Sequence, residues 1–224
     1  MYVGGIMQTD LVTVAPDTSL IKARKILEEN KIDHLLVVDA RGKLLGVVSD
    51  RDLKRSWASD ATSLSVHELN YLLDKITVDM IMAKTFVSAS PATTIERAAT
   101  IMQHNRVHAL PIIEAGELVG IVTTTDVLGL LLQAIGIDRE SSRFRVLVKD
   151  RIGVMAEVAK ILKDEGINIR SLVTWPEKHY PGIYQLVMRV GAKDGKRAVQ
   201  ALTDGGFKVL TRYVKDLRPY LPEE

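Results

Sequence analysis

An internal repeat constrains the fold of this 224-residue chain more than any other feature. Ile6-Met7 recurs 75 positions later as Ile81-Met82, and Gly46-Val47-Val48-Ser49 recurs 74 positions later as Gly120-Ile121-Val122-Thr123. The difference of one residue falls in a turn between two apolar runs, where a change in length costs little. The repeat predicts two copies of one supersecondary unit, packed on each other because neither copy buries enough surface alone.

Each copy predicts the element order β-α-β-β-α. The β-prone segments lie at 11–14, 35–38 and 44–48 in the first copy, and at 86–89, 110–113 and 118–122 in the second. A first helix is expected to start at Asp17-Thr18 in one copy and at Thr93 in the other, where Thr93-x-x-Glu96 matches a capping box. A second helix is expected to start at Asp52 or Asp126, just after the third strand.

The segment between the copies has the pattern of an ordered helical connector. Ser65-x-x-Glu68 is a capping box, and apolar residues follow at helical spacing at Leu69, Leu72, Leu73 and Ile76. The sequence therefore predicts a first repeat unit at 1–60, the connector at 61–77, a second repeat unit at 78–135, a polar linker at 136–142 and a third domain at 143–218.

The third domain predicts the order β-α-β-β-α-β. Its strands are expected at 144–148, 168–173, 184–190 and 208–213, with helices over 154–162 and 198–202. Gly166 suits the left-handed position that ends the first of these helices. This order is the ferredoxin-like arrangement. The expected fold class is therefore mixed α/β (α+β), with two β-α-β-β-α units followed by a βαββαβ domain.

Three motifs resemble those of known families. Gly46-Val47-Val48-Ser49-x-x-Asp52 and Gly120-Ile121-Val122-Thr123-x-x-Asp126, the latter preceded by Val107-His108-Ala109-Leu110-Pro111-Ile112-Ile113, resemble a tandem pair of CBS domains, a Bateman module. Asp150-x-x-Gly153 after a strand, with Gly166-Ile167-Asn168-Ile169 after the next helix, is similar to an ACT domain. Two CBS domains followed by one ACT domain resemble the acetoin utilisation proteins of the AcuB type, which carry no separate catalytic domain.

Ser49 with Asp52, and Thr123 with Asp126, lie where a strand is expected to end and a helix to begin. Free N–H groups at a helix start favour a phosphate, to which the hydroxyl can also donate, while the carboxylate can accept hydrogen bonds from a ribose diol. The alternative is that Asp52 and Asp126 are only helix caps. Two copies of the pattern, each in a strand–turn–helix context, favour nucleotide binding.

The CBS resemblance implies an adenosine ligand between the repeats, with its base held largely by backbone groups. The matching positions are Thr13, Val14, His34 and Leu35 in the first repeat, and Ser88, Ala89, Ala109, Leu110 and Pro111 in the second. The implied ligand is AMP first, then ADP, ATP or S-adenosylmethionine, as a regulatory ligand and not a catalytic cofactor. Arg51 lies beside the first turn where the second has Thr125, which predicts stronger and more salt-sensitive phosphate binding in the first repeat.

The ACT resemblance implies an amino-acid effector site at a subunit interface, lined by Asp150, Gly153 and Asn168. The same residues suit structural roles, since glycine permits a tight turn, aspartate caps a helix and asparagine favours turns. The sequence leaves open whether this domain binds an effector or serves interaction and dimerisation. Both resemblances imply a homodimer.

Composition excludes several other classes of protein. Thirty Lys and Arg against 28 Asp and Glu give a net charge of +2, too balanced for a nucleic-acid partner. Without cysteine there is no disulfide, thiolate metal site or cysteine nucleophile. His104 and His108 have a zinc-like spacing, but no third ligand is evident, so no metal is expected. No leader-like start and no apolar run near the ~18 residues of a spanning helix are present, so a cytoplasmic protein without a membrane partner is expected.

The chain shows no nucleophile elbow, Walker loop, Rossmann fingerprint or paired acid and base. The sequence therefore predicts a non-catalytic regulatory protein that binds an adenine nucleotide and passes its occupancy to the ACT-like domain or to a target protein. The alternatives are a ligand-free oligomerisation scaffold and an acetoin-pathway enzyme.

Overall fold

The computed structural model describes residues 1–57, 71, 73–137 and 140–222, which divide into two compact units, Met1–Leu128 and Gly129–Glu224. The strands of the first unit are β1 (Thr13–Val14), β2 (His34–Val38), β3 (Leu44–Ser49), β4 (Ala109–Glu114) and β5 (Glu117–Thr123). Its helices are α1 (Leu20–Asn30), α2 (Asp50–Ser56), α3 (Val78–Ile81), α4 (Ile95–Asn105) and α5 (Thr124–Ile135), of which α5 ends in the second unit. No helix in these ranges is long and apolar enough to cross a bilayer.

The two repeats differ at their first strand. In the first repeat β1 pairs in parallel with β2, which pairs antiparallel with β3. In the second repeat β4 and β5 pair antiparallel, and Ala89 makes only an isolated parallel bridge to Ile112, so the strand expected at 86–89 is wrong. Pro111 explains the difference, because the next ladder bond would need the N–H that proline lacks. Leu36 occupies the equivalent place in the first repeat and pairs with Thr13.

The first helix of each repeat begins later than the sequence pattern indicated. Ser19 and Thr94 are the N-caps, and each side chain accepts a hydrogen bond from the backbone three residues later. The capping box expected at Thr93-x-x-Glu96 is therefore wrong. Thr93 Oγ1 instead accepts a hydrogen bond from Ser90 N at 3.0 Å, inside the turn that precedes the helix. Threonines at 93 and 94 both suit a cap, and only the path of the turn selects between them.

The opening segment of each repeat lies against the other repeat. Gln8 exchanges two backbone hydrogen bonds with Ile121 of β5, at 2.9 and 3.0 Å. Its counterpart Ala83 exchanges two with Val47 of β3, at 2.9 and 3.2 Å. The boundaries of the two repeat units, expected at 1–60 and 78–135, stay predictions. In space, the opening segment of each repeat pairs with the sheet of the other repeat. Of the expected connector, Ser65, Glu68, Leu69 and Leu72 lie outside the described residues, and Leu73 is buried.

The exchange of opening segments between the repeats explains why positions 46 and 120 are glycines. A Cβ on Gly46 would lie 2.7 Å from Met82 Sδ and 2.8 Å from the carbonyl oxygen of Ala83. A Cβ on Gly120 would lie 2.7 Å from Met7 Sδ. Both methionines come from the opening segment of the opposite repeat, so the two glycines are the points where each segment meets the other sheet.

Gly46→Ala is expected to destabilise the chain by about 1–3 kcal/mol, because the added methyl group overpacks the contact with Met82 and the backbone of Ala83. Urea unfolding followed by circular dichroism measures the change. Gly129→Ala is the matched control, since a Cβ there meets nothing within 4 Å and alanine favours the α5 helix. An unchanged midpoint in Gly46→Ala would contradict the crossed packing.

The second unit has the expected order of elements. It contains β6 (Ser141–Lys149), α6 (Val154–Asp164), β7 (Ile169–Pro176), β8 (Ile183–Gly191), α7 (Gly195–Asp204) and β9 (Val209–Leu210). The sheet order β7-β8-β6-β9, antiparallel throughout, is that of a ferredoxin-like fold, which confirms the mixed α/β class. The last strand is shorter than the expected 208–213. Phe144, Val146 and Met188 pack on one sheet face against Val158 and Leu202 of the two helices.

Candidate functional site

Two matching turns form the centre of the candidate site. In the first, Asp52 Oδ2 accepts hydrogen bonds from Ser49 N at 2.9 Å and from Ser49 Oγ at 2.6 Å, while Asp52 N donates to Ser49 Oγ at 3.3 Å. In the second, Asp126 Oδ2 accepts from Thr123 N at 2.8 Å and from Thr123 Oγ1 at 2.6 Å, while Asp126 N donates to Thr123 Oγ1 at 3.2 Å. The helices accordingly begin at Asp50 and Thr124, two residues earlier than expected.

Each turn therefore caps its helix, which is the structural role that the sequence offered as the alternative to nucleotide binding. The cap uses one oxygen of each carboxylate. Within the described part of the chain, neither Asp52 Oδ1 nor Asp126 Oδ1 accepts a hydrogen bond. Capping and ligand binding are compatible, because the second oxygen of each half-buried carboxylate is left for another donor.

The backbone holds the two turns in the same way. Asp50 N donates to the carbonyl oxygen of Asp33 at 2.9 Å, and Thr124 N donates to the carbonyl oxygen of His108 at 3.0 Å. The start of α2 is thus bonded to the residue just before β2, and the start of α5 is bonded to the residue just before β4. In each repeat, the turn is held between the strand that precedes it and the start of the neighbouring strand.

Strand register places Thr13, His34 and Ser49 on one face of the first sheet. His34 lies directly opposite Ser49, and Thr13 lies opposite Leu36, two residues further along β2. Paired residues on neighbouring strands project from the same face, and residues two apart share it. The structure thus brings these three predicted side chains to one face of the sheet, with Asp52 bonded to Ser49.

Val14 and Leu35, also predicted for the first site, project to the opposite face. Their side chains are 6% and 0% exposed and belong to the core under α1. Only their backbone groups are therefore available to a base on the other face of the sheet, and backbone contacts are what the CBS resemblance implies at these positions.

The second repeat has the same division. Ala109 lies opposite Thr123, and Pro111 lies opposite Ile121, so Ala109, Pro111 and Thr123 share a face. The side chain of Leu110 is fully buried, and Ala89 pairs with Ile112 on the same side as Leu110. Ser88, which precedes Ala89, is exposed.

Charge distinguishes the two turns. Arg51 is exposed in the first turn, and Thr125 is exposed in the equivalent position of the second. Nearby, Lys54 Nζ lies 2.5 Å from Asp50 Oδ2, so this lysine is already paired. Arg51 makes no ion pair with any described residue.

His34 is the titratable group whose pKa the site shifts. Burial lowers the pKa of His34 below its ordinary value, against the carboxylate of Asp33, which raises it. The nearby His108 lowers it further, and Asp52 raises it. The sequence singled out His34 only as a wall of the base pocket. Its closeness to His108 of the other repeat depends on how the two sheets pack, and no sequence signal indicated it.

The ACT-like positions lie apart within one chain. Asp150 follows β6 and donates from its backbone N–H to the carbonyl oxygen of Gly182 at 2.8 Å, at the end where Lys149 pairs with Ile183. Asn168 precedes β7 at the other end, where Ile169 pairs with Val190. The nine-residue strand between these ends spans about 26 Å.

Gly153 is the N-cap of α6 with φ +90°, a conformation that strongly favours glycine. Asn168 lines a shallow depression of about 610 Å³ together with Arg170, Lys193 and Asp194. One chain therefore does not bring Asp150, Gly153 and Asn168 together. Among the residues that the structure describes, no group of three or more potential metal ligands is found.

Comparison with known families matches all three parts of the chain. The model of the CBS domain matches residues 3–59 and 78–133, and the model of the ACT domain matches residues 142–204. A CBS domain-containing protein of Dictyostelium discoideum is 35% identical over 133 residues, which is 58% of this chain and 90% of the relative. The homoserine O-acetyltransferase of Methanohalobium evestigatum is 31% identical over 131 residues, 58% of this chain, but the chain spans only 24% of that enzyme.

Solved structures share the fold over about three fifths of this chain. One described as an acetoin utilization protein (AcuB) from Vibrio cholerae is 26% identical, with a TM-score of 0.50 over 62% of this chain and 95% of its own. A CBS domain pair crystallised in complex with 5′-methylthioadenosine and S-adenosyl-L-methionine covers 62% of this chain and 98% of its own, with a TM-score of 0.50. At 24% identity this second likeness concerns the fold alone.

Proposed function

Because this chain belongs to the CBS-domain proteins and carries an ACT domain after its CBS pair, we propose that it is a non-catalytic regulator whose CBS pair binds an adenine nucleotide or S-adenosylmethionine. The observation that carries the proposal is the pair of Ser/Thr–Asp turns with the same hydrogen bonds in both repeats. Each turn offers a hydroxyl, a carboxylate with one oxygen left over, and a sheet face beside it.

The chemistry of the turns suits a ribose and its 5′ substituent. The spare carboxylate oxygen at Asp52 or Asp126 accepts hydrogen bonds from the ribose diol, and hydrogen bonds to a charged group are the stronger kind. The hydroxyl of Ser49 or Thr123 lies within the same turn and is able to donate to a phosphate oxygen. The base then lies against the face that carries Thr13 and His34 in the first repeat.

The regulatory role follows from what the ligand does to the rest of the chain. A ligand acts as a signal only if it binds two conformations with different affinity, and the ACT domain or a target protein reads the difference. We assign the ACT domain to dimerisation or effector binding in a cytoplasmic homodimer. The similarity to the Vibrio cholerae protein makes acetoin utilisation the first pathway to examine.

Calorimetric titration of the full chain with AMP, ADP, ATP and S-adenosylmethionine tests the proposal. Saturable binding at micromolar to millimolar ligand is expected for at least one of the four. Flat titrations with all four at millimolar concentration would leave the ligand-free scaffold as the better description. Turnover of acetoin or of an acyl ester by the purified chain would instead favour an enzyme.

Phosphate affinity is expected to depend on salt chiefly in the first repeat. Arg51 adds a permanent charge beside the first turn, whereas Thr125 adds none, and attraction between exposed charges weakens with ionic strength. Arg51→Thr, which copies the second repeat, is expected to reduce AMP affinity about two- to fivefold at low salt and to flatten its salt dependence. Equal salt dependence in the variant and the parent would contradict a contact between Arg51 and the phosphate.

A further inference from the structure

His34 has a position that its counterpart in the second repeat does not share. It starts β2 directly opposite Ser49, so the imidazole and the Ser49 hydroxyl are cross-strand neighbours on the candidate ligand face. The equivalent residue opposite Thr123 is Ala109, which has no polar side chain. The first turn thus has a titratable group beside it, and the second has none at this position.

The groups that face His34 come from three parts of the first unit. Asp33 lies just before β2, Asp52 lies on α2, and His108 lies just before β4. Half-burial and the neighbouring imidazole of His108 favour the neutral form, and the two carboxylates only partly offset them. An oxyanion bound to the Ser49 hydroxyl would add negative charge at a cross-strand neighbour and so favour the imidazolium.

We propose that His34 couples the binding of a phosphate-bearing nucleotide at the first turn to the uptake of a proton. This inference rests on the proposed function and deepens it, since it gives one of the two turns a dependence on pH that the other lacks. The proton comes from solvent and resides on the imidazole of His34 while the phosphate is bound. Affinity for the phosphate ligand at the first turn therefore rises as the pH falls through the interval between the free and the bound pKa of His34.

The experiment uses the variant Asp126→Asn as the parent, so that ligand binding reports on the first turn. It compares this parent with the double variant Asp126→Asn, His34→Ala. Alanine is the residue that the second repeat has at this position, so the change copies a side chain that the fold already accommodates. AMP and 5′-methylthioadenosine are titrated by calorimetry at pH 6, 7 and 8, each in two buffers of different ionisation enthalpy. The second ligand lacks a phosphate and reports adenosine binding alone.

The AMP affinity of the Asp126→Asn parent is divided by that of the double variant Asp126→Asn, His34→Ala. This ratio is expected to rise about three- to tenfold from pH 8 to pH 6. Because both proteins meet the same ligand, the ionisation of AMP itself cancels in this ratio. Net proton uptake, seen as a buffer-dependent heat, is expected to fall in His34→Ala. For 5′-methylthioadenosine the ratio is expected to stay constant with pH.

A ratio for AMP that does not change with pH would overturn the inference while leaving nucleotide binding in place. Loss of AMP and 5′-methylthioadenosine binding together in His34→Ala, at every pH, would also overturn it, because His34 would then be a contact of the base or sugar. If the unmodified chain binds neither AMP nor 5′-methylthioadenosine at any pH, the inference fails, and the proposed function fails with it only if ADP, ATP and S-adenosylmethionine also give flat titrations. His108→Ala removes the nearby imidazole that is not opposite Ser49 and that lowers the pKa of His34, so in that variant the pH dependence of AMP binding is expected to persist and to move to higher pH.

Discussion

The double variant Asp52→Asn, Asp126→Asn is expected to lose measurable nucleotide binding, with affinity at each turn falling about tenfold to a hundredfold. Each aspartate offers its spare oxygen as a charged acceptor, and a hydrogen bond to a charged group contributes about 1.5–3 kcal/mol. The asparagine side chain keeps an oxygen that can accept from the backbone and hydroxyl of Ser49 or Thr123. The helix caps are therefore largely retained, and the variants report on the charge.

Calorimetry on the two single variants and the double variant separates the turns. Each single variant is expected to remove one binding event and to leave the other, because Ser49–Asp52 and Thr123–Asp126 belong to different repeats. Asp50→Asn is the matched control, since Asp50 pairs with Lys54 and the second repeat has the neutral Thr124 in its place. Wild-type titration curves from the double variant would show that the ligand site lies elsewhere.

Phe144→Ala is expected to lower the free energy of unfolding of the second unit by about 3–5 kcal/mol. Phe144 is the largest of the fully buried side chains in the described part of the chain and belongs to the core between the sheet and both helices. Its removal takes away apolar contacts and leaves a cavity that the packed sheet cannot fill.

Denaturant unfolding followed by the fluorescence of Trp175 on β7 measures this change, in a Trp57→Phe background so that the signal comes from the second unit alone. Tyr213→Ala is the control, because Tyr213 is 85% exposed and its loss is expected to change stability by less than about 0.5 kcal/mol. A Phe144→Ala midpoint equal to that of the control would contradict the ferredoxin-like core described above.

The repeat made much of the first unit predictable. Two copies of one pattern, each with strands at period two and a helix at period 3.6, allowed each strand to be checked against its counterpart. The prediction was wrong where a single side chain outweighed the pattern. Pro111 lacks the N–H needed to extend the ladder at 86–89, and Thr94 caps α4 where Thr93 was expected. A pattern of apolar residues carries neither piece of information.

The residues of the two candidate turns could be selected from the sequence, but their arrangement could not, and their role in binding stays a prediction. Ser49, Asp52, Thr123 and Asp126 could be selected because hydroxyl and carboxylate recur at one spacing after a strand. The exchange of opening segments was not foreseen, because it depends on Met7 and Met82 meeting glycines 113 and 36 positions away, respectively. Local patterns describe neighbours along the chain, and contacts at that separation arise only when the sheets pack.

By itself, the sequence determined the three-part organisation, the mixed α/β class and the turns that carry a hydroxyl with a carboxylate. Those features depend on residue type and short spacing, which act within a few residues of each other. The tertiary structure alone decided that His34 and Ser49 share a face, that Val14 and Leu35 point into the core, and that Asp150 and Asn168 lie at opposite ends of a sheet. Strand register and sheet packing set these relations, because a shift of one residue would reverse every face.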